Sequence, residues 1–154
     1  MIFLGLDPGS HTGWASLAAD GSRIASGTWD LSARRHEGGG MRFLRCRTLL
    51  GELFNSHIGD RALAYEEVRR HLGVDAAHVY GGIVAVVQAL CEERSVPYRG
   101  IPVGTAKKLA TGKGNADKAA MMAAAVAHWR LAEVGEDEAD ALWIAETLRR
   151  ELAP

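Results

Sequence analysis

Ile2-Phe3-Leu4-Gly5-Leu6-Asp7-Pro8-Gly9-Ser10 opens the chain with an apolar run that ends in an acid and a turn. A run that is apolar on both of its alternating faces suits a buried central strand better than a half-exposed one. Pro8 fixes one backbone dihedral and Gly9 permits positive φ, so the strand stops at Asp7. Working outward, residues 14–19 and 23–29 read as two more strands around a two-residue hairpin turn at Asp20-Gly21, which makes an antiparallel meander. Residues 62–68 and 97–103 read as a fourth and a fifth strand. The Glu37-Gly38-Gly39-Gly40 stretch opens a helix over 41–57 with Leu44, Leu49, Leu50, Leu53 and Phe54 as its inner face. Asp75 is placed to cap a helix over 75–94, with Val79, Ile83, Val86, Val87 and Leu90 at helical spacing. A short helix at 105–110, a third long one at 116–129 and a last one at 136–152 complete the pattern. This order predicts an α/β fold: a five-stranded mixed sheet, strands 1–3 an antiparallel meander, strands 4–5 parallel to strand 1, and helices on both faces.

The 154 residues suit one domain over 1–154 that removes roughly 70% of its extended-chain surface from water, enough for a core without disulfides or structural metal. A hydrophobic share of 47% and a charged share of 24% are those of a soluble globular protein. No run approaches the roughly 18 consecutive apolar residues of a membrane span, and the quickly acidic start does not suit a signal peptide, so no membrane association and a cytoplasmic location are expected. Cys46 and Cys91 are too few and too far apart for a zinc knuckle or a disulfide framework, and read as reduced core thiols.

With 18 basic and 19 acidic side chains the net charge is -1, which excludes a polycation that coats nucleic acid indiscriminately. The distribution is uneven. Five arginines and one acid lie between Arg34 and Arg47, and Lys107, Lys108, Lys113 and Lys118 stand against Asp117 alone between Gly104 and Lys118. From Glu133 to Asp140 there are five acids and no base. Such runs are often plain solvated surface, but basic segments beside a concentrated acidic one also suit a protein that holds a polyanion and a divalent metal.

Asp7 ends the first strand and Glu66 and Glu67 come near the end of the fourth, so parallel pairing brings one of the two glutamates beside Asp7. Side chains alternate along a strand, and both cannot face the same way. Asp137 and Asp140, three apart near the start of the last helix, share a face at about 5–6 Å between Cβ atoms. Each acid has a modest alternative: Asp7 as a turn residue, and Asp137 and Asp140 as complements of the helix dipole. Two acids ending an apolar strand are harder to dismiss. Four converging carboxylates would repel one another unless protonated or bound to a hard cation such as Mg²⁺ or Mn²⁺, and two such ions can hydrolyse a phosphodiester.

Leu4-Gly5-Leu6-Asp7-Pro8-Gly9-Ser10 with Thr12-Gly13-Trp14-Ala15, then Ala64-Tyr65-Glu66-Glu67-Val68, then Gly112-Lys113-Gly114-Asn115-Ala116-Asp117-Lys118, then Asp137-Glu138-Ala139-Asp140-Ala141-Leu142, resemble the RuvC-type Holliday junction resolvases, most of all their phage and prophage branch. The match runs in order along nearly the whole chain. It implies an RNase H-like fold, a homodimer, and metal-dependent paired nicking of four-way DNA junctions. By position it implies Asp7, Glu66, Asp137 and Asp140 as catalytic carboxylates holding two Mg²⁺ ions, for which Mn²⁺ can substitute, and it selects Glu66 over Glu67. Lys118 matches a lysine near the scissile phosphate. Lys107, Lys113, Arg69, Arg70 and Arg42 are the further DNA-binding candidates. His11, His71 and His78 lie in or beside loops near the site and read as polar contacts or surface; His78 and Tyr80 are the nearest candidates for the family's junction-opening aromatic.

The glycine triplet and arginines of residues 32–47 depart from the cellular resolvases and point to a broader branched substrate, including flaps and forks. Two other readings have their own signals. Asp7-Pro8-Gly9-Ser10 followed by Gly13 also resembles the phosphate loop of actin-type ATPases, but those need two lobes and a second loop, for which this chain offers only Gly112-Lys113-Gly114. A non-catalytic junction-binding or RNA-processing relative of the same fold is disfavoured by the complete set of four acids.

Overall fold

A computed structural model describes residues 1–70 and 73–152. The chain runs β1 (Ile2–Asp7), β2 (His11–Leu17), β3 (Arg23–Asp30), α1 (Met41–Asn55), β4 (Arg61–Glu67), α2 (Val74–Glu93), β5 (Tyr98–Pro102), α3 (Val103–Thr111), α4 (Lys118–Trp129) and α5 (Glu136–Leu152). The five strands form one sheet in the order β3-β2-β1-β4-β5. β1 pairs antiparallel with β2 and parallel with β4, and β5 pairs parallel with β4. This is the mixed sheet expected, with the opening run at its centre: Phe3, Leu4 and Leu6 are fully buried.

Helices cover both faces. Leu4, Leu6 and Leu63 point to the side covered by α1 and α2, where Cys46, Leu50, Phe54, Ile83 and Val87 complete a core. Phe3, Ala15, Ala62, Ala64 and Ile101 point to the other side and meet α4 and α5. At roughly 25 cal/mol per Å², each fully buried leucine contributes about 2 kcal/mol, so both faces hold the sheet. Two glycines set how close α5 lies. A Cβ at Gly5 would sit 2.1 Å from the Ala141 carbonyl oxygen, and one at Gly13 would sit 1.8 Å from that of Asp137. The backbone of α5 therefore rests directly on β1 and β2, and its run from Ala141 to Leu148 is buried on all sides.

Several boundaries differ from expectation, each for a local reason. β2 begins at His11 rather than Trp14, because the Thr12 hydroxyl donates to the Gly9 carbonyl at 2.8 Å and closes the turn within three residues. The hairpin is wider than two residues: Ala18 N–H bonds to Ser22 O and the Asp20 carboxylate accepts from Ser22 N–H at 2.9 Å. Asp75 does not cap α2. Gly73 occupies the N-cap position and Asp75 lies in the first turn. Asp117 caps α4 instead, accepting from Ala120 N–H at 2.8 Å, so that helix starts at Lys118 and not at residue 116. Leu44, expected on the inner face of α1, is exposed, and Cys46, two residues on and about 200° round the helix, takes the inward position. Both cysteines are buried free thiols, and burial pushes each up to about 12.

Candidate active site

The carboxyl ends of β1 and β4 lie side by side, since Leu6 pairs with Tyr65 and the next positions are Asp7 and Glu66. Phe3 and Asp7 share a parity on β1, as do Ala62, Ala64 and Glu66 on β4, and the apolar members of both sets face α5. Asp7 and Glu66 thus emerge on the α5 side. Glu67 takes the other face of the strand, near Gly100 and within 3.3 Å of Arg69. Gly13 seats the first turn of α5 against the sheet, which brings Asp137 and Asp140 over the same edge. Acids from β1, β4 and α5 therefore occupy one place.

Their electrostatics report the convergence. Burial, then the charges of Glu66, Asp140 and Asp137, hold the Asp7 carboxyl well above its ordinary range, and hydrogen bonding with Glu66 adds to it. Burial and Asp140 also raise Glu66, against the opposing effects of the Asp7 hydrogen bond and of Lys107. Burial raises Asp140, with Asp137 and Glu136 adding to it and Lys107 and Lys118 opposing it. This is a pocket of negative potential that its own two lysines do not cancel. Among the described residues, no three His, Cys, Asp or Glu side chains already form a cage for a metal ion. The donor chemistry nevertheless fits one: oxygen ligands only, with excess negative charge that a hard divalent cation would relieve.

Around the acids, α5 begins with two contacts that the sequence pattern does not reveal. Glu136 Oε2 accepts from Lys118 Nζ at 2.5 Å. Glu138 Oε1 accepts from Ser26 Oγ at 2.5 Å, and Arg23 Nε donates to the same hydroxyl at 2.5 Å. The five-acid run is uniform in charge, yet its members do different things.

The basic candidates separate into groups. Lys107 on α3 and Lys118 at the start of α4 act on the acids. Lys113 is exposed in a loop braced by the Thr111 hydroxyl, which accepts from its N–H at 3.2 Å. Arg69 and Arg70 are exposed just past β4, and His71 lies outside the described residues. Arg42 lines a cavity of about 460 Å³ with Pro8, Gly9, Val68 and Tyr80, next to the ends of β1 and β4. The Arg34 to Arg47 stretch is less available than its charge implies. Arg45 is bound to Glu37 at 2.8 Å and to the Ser32 carbonyl, and Arg47 to Glu93 at 2.6 Å. Arg34, Arg35 and Arg42 remain without an ion pair among the described residues. Tyr80 is not a projecting wedge: its hydroxyl donates to Glu66 O at 2.8 Å and accepts from Val68 N–H at 3.0 Å, bracing the end of β4. His78 is exposed on the same turn of α2, and His11 faces Asp30 at 3.8 Å at the surface.

A mixed sheet in this strand order, with acids from β1, β4 and α5 at one edge, places the chain in the RNase H-like class. The fold is similar to that of Thermus thermophilus RuvC solved in complex with a Holliday junction substrate, at 22% identity and a TM-score of 0.86 over 99% of this chain and 95% of that one. A second Thermus thermophilus RuvC structure gives 24% identity and a TM-score of 0.81 over 96% and 92% of the two chains. No family model matches the chain. A crossover junction endodeoxyribonuclease RuvC from Sorangium cellulosum (strain So ce56) is 34% identical over 152 residues, 96% of this chain and 83% of that protein. The chain belongs to the RuvC family of crossover junction endodeoxyribonucleases.

Proposed function

We propose that the protein is a metal-dependent endodeoxyribonuclease that resolves four-way DNA junctions by paired nicking. The observation that carries this is the gathering of Asp7, Glu66, Asp137 and Asp140 from three elements into one uncompensated negative field beside Lys107 and Lys118. The four carboxylates would hold two Mg²⁺ ions, with Mn²⁺ as substitute. When bound, such ions supply an activated water and charge stabilisation at the leaving oxygen. The chain's own residues do the rest. Lys118 and Lys107 counter the charge that builds on the phosphate, where a preplaced cation is worth most because the site is partly buried. Lys113, Arg69, Arg70 and Arg42 contact phosphates along the arms, which reads shape and not base sequence.

Paired nicks need two sites. The surface that fits a second copy is α2, whose outward positions Ala77, Gly81, Ala85 and Ala89 are small and uncharged and of whose most apolar stretch only 22% is buried. A two-fold pair of such helices would close a homodimer. The exposed Arg34 and Arg35, beside Gly38, Gly39 and Gly40, favour a second reading, a phage-type nuclease with broader use of flaps and forks.

The test is a panel of synthetic four-way junction, flap, fork and linear duplex with Mg²⁺, with cut sites mapped for wild type and Asp7→Asn. Cutting of the junction by the wild type alone, at paired positions, is expected. Equal cutting by both proteins sinks the reading, and sedimentation as a monomer with and without junction sinks the dimer.

A further inference from the structure

Lys118 starts from a backbone position that disfavours a cation. It is the first residue of α4, where the positive end of the helix dipole disfavours an ammonium. Its side chain is 70% exposed, and a free lysine stem is rich in rotamers. The neighbouring Asp117 carboxylate is committed to capping the helix through Ala120 N–H. Among the described residues Lys118 Nζ has one partner, Glu136 Oε2 at 2.5 Å.

Glu136 is well placed to be that partner, because the backbone it hangs from is fixed. It opens α5 and immediately precedes Asp137, whose carbonyl lies against Gly13 with no room for a Cβ. Two residues further, Glu138 is tied to Ser26 and through it to Arg23 on β3. The first turn of α5 is thus pinned to the sheet on one side and reaches out to Lys118 on the other.

We propose that Glu136 is a positioning residue that holds the Lys118 ammonium beside Asp137 and Asp140 before DNA arrives, and that its main effect on cutting passes through Lys118. This rests on the nuclease reading above. An ion pair this exposed adds little to stability, so its effect belongs to the rate of cutting and not to folding. The arrangement also separates two roles within one acidic run: Asp137 faces the metal-binding edge, and Glu136 faces the lysine that must meet the phosphate.

The experiment compares Glu136→Ala, Glu136→Asp and wild type in single-turnover cutting of a four-way junction with Mg²⁺, junction affinity in EDTA, and thermal unfolding. Side-chain NMR of the Lys118 ammonium reads its motion without any cutting. Glu136→Ala should slow cutting roughly tenfold, less than the about hundredfold that a 1 Å misplacement costs, because Lys118 stays near the acids. Affinity should stay within about twofold and the unfolding midpoint should not move, since the pair is exposed. Glu136→Asp should recover most of the rate, and the Lys118 ammonium should gain mobility in Glu136→Ala. Unchanged or faster cutting by Glu136→Ala overturns the proposal, as does an unchanged Lys118 ammonium. A wild type that cuts no branched DNA overturns the nuclease reading and the proposal with it. A wild type that cuts normally beside an unimpaired Glu136→Ala overturns the proposal alone.

Discussion

The two ends of α5 each bury acidic side chains, and they treat them in opposite ways. Near its carboxyl end Glu146 is 1% exposed, and Arg149 and Arg150 each donate to it at 2.7 Å. Burial pushes its carboxyl up, but the two guanidiniums more than cancel this and hold it below its ordinary value. At the amino end Asp140 joins Asp7 and Glu66, and burial with mutual repulsion leaves all three raised. A buried acid that is fully compensated serves the fold. One left uncompensated costs stability, and that cost marks a site. The contrast breaks most sharply at Asp7. Asp7→Asn should lower junction cutting by about a thousandfold or more, the scale of losing a residue that acts in the reacting group. The same change removes repulsion, so the thermal midpoint should rise by about 2–4 °C, equivalent to roughly 1 kcal/mol in a chain of this size. Lower stability together with retained cutting would erase the distinction.

Glu146→Gln should do the reverse. It strands two guanidiniums beside a buried amide and should cost about 2–3 kcal/mol in urea unfolding, below the roughly 3–5 kcal/mol of a fully buried broken pair because Arg150 is 50% exposed. Cutting per folded molecule should not change. A loss of activity without a loss of stability would make the carboxyl end part of the site.

Much of this contrast is legible in the order of residues alone. The run Ile2–Asp7 is continuous and apolar, so both its central place and its end at an acid follow from local pattern. The three-residue spacing of Asp137 and Asp140 puts them on one helix face without further information. What stays hidden is pairing across long separations. Glu138 and Ser26 are 112 positions apart, and Arg47 and Glu93 are 46 apart. No periodicity encodes such contacts, so Arg45 and Arg47 read as available charge although Glu37 and Glu93 neutralise them in the fold. Leu44 and Asp75 depart from expectation for a nearer reason. Helical phase there is decided by tertiary packing and by which residue happens to precede the first turn, and both override local preference.

Acidity and metal should exchange the behaviour of the two ends of α5. Asp7, Glu66 and Asp140 have folded values above their unfolded ones near 3.8 to 4.5, so the native state binds more protons between the two. Their contribution to stability is greatest below the unfolded value and is lost as pH rises through the folded value. Glu146 is lowered, so its contribution is present above 4.5 and is lost as pH falls through its folded value. In EDTA, the midpoint advantage of Asp7→Asn over wild type should therefore shrink as pH falls from 7 toward 4, while the penalty of Glu146→Gln shrinks only at the lowest pH. At pH 7, Mg²⁺ or Mn²⁺ should raise the wild-type midpoint by mass action and leave Asp7→Asn nearly unmoved. Equal shifts in both proteins would place the cation elsewhere.

The smallest effect applies the same rule to the basic side chains. Arg42 and Arg47 lie five residues apart on α1, yet Arg47 is bound to Glu93 while Arg42 has no ion pair among the described residues and borders the cavity at the ends of β1 and β4. A guanidinium already neutralised within the protein releases few counterions when DNA arrives, whereas an uncommitted one replaces a counterion at a phosphate. Arg42→Ala should thus weaken junction binding evenly across sequences and reduce the slope of log K against log salt by about one. Arg47→Ala should leave that slope within error and change stability by no more than about 0.5 kcal/mol, as exposed pairs do. If the two substitutions lower the slope equally, Glu93 does not neutralise Arg47 where DNA binds. The rule that an uncompensated charge marks function would then hold for the acids of this protein and fail for its bases.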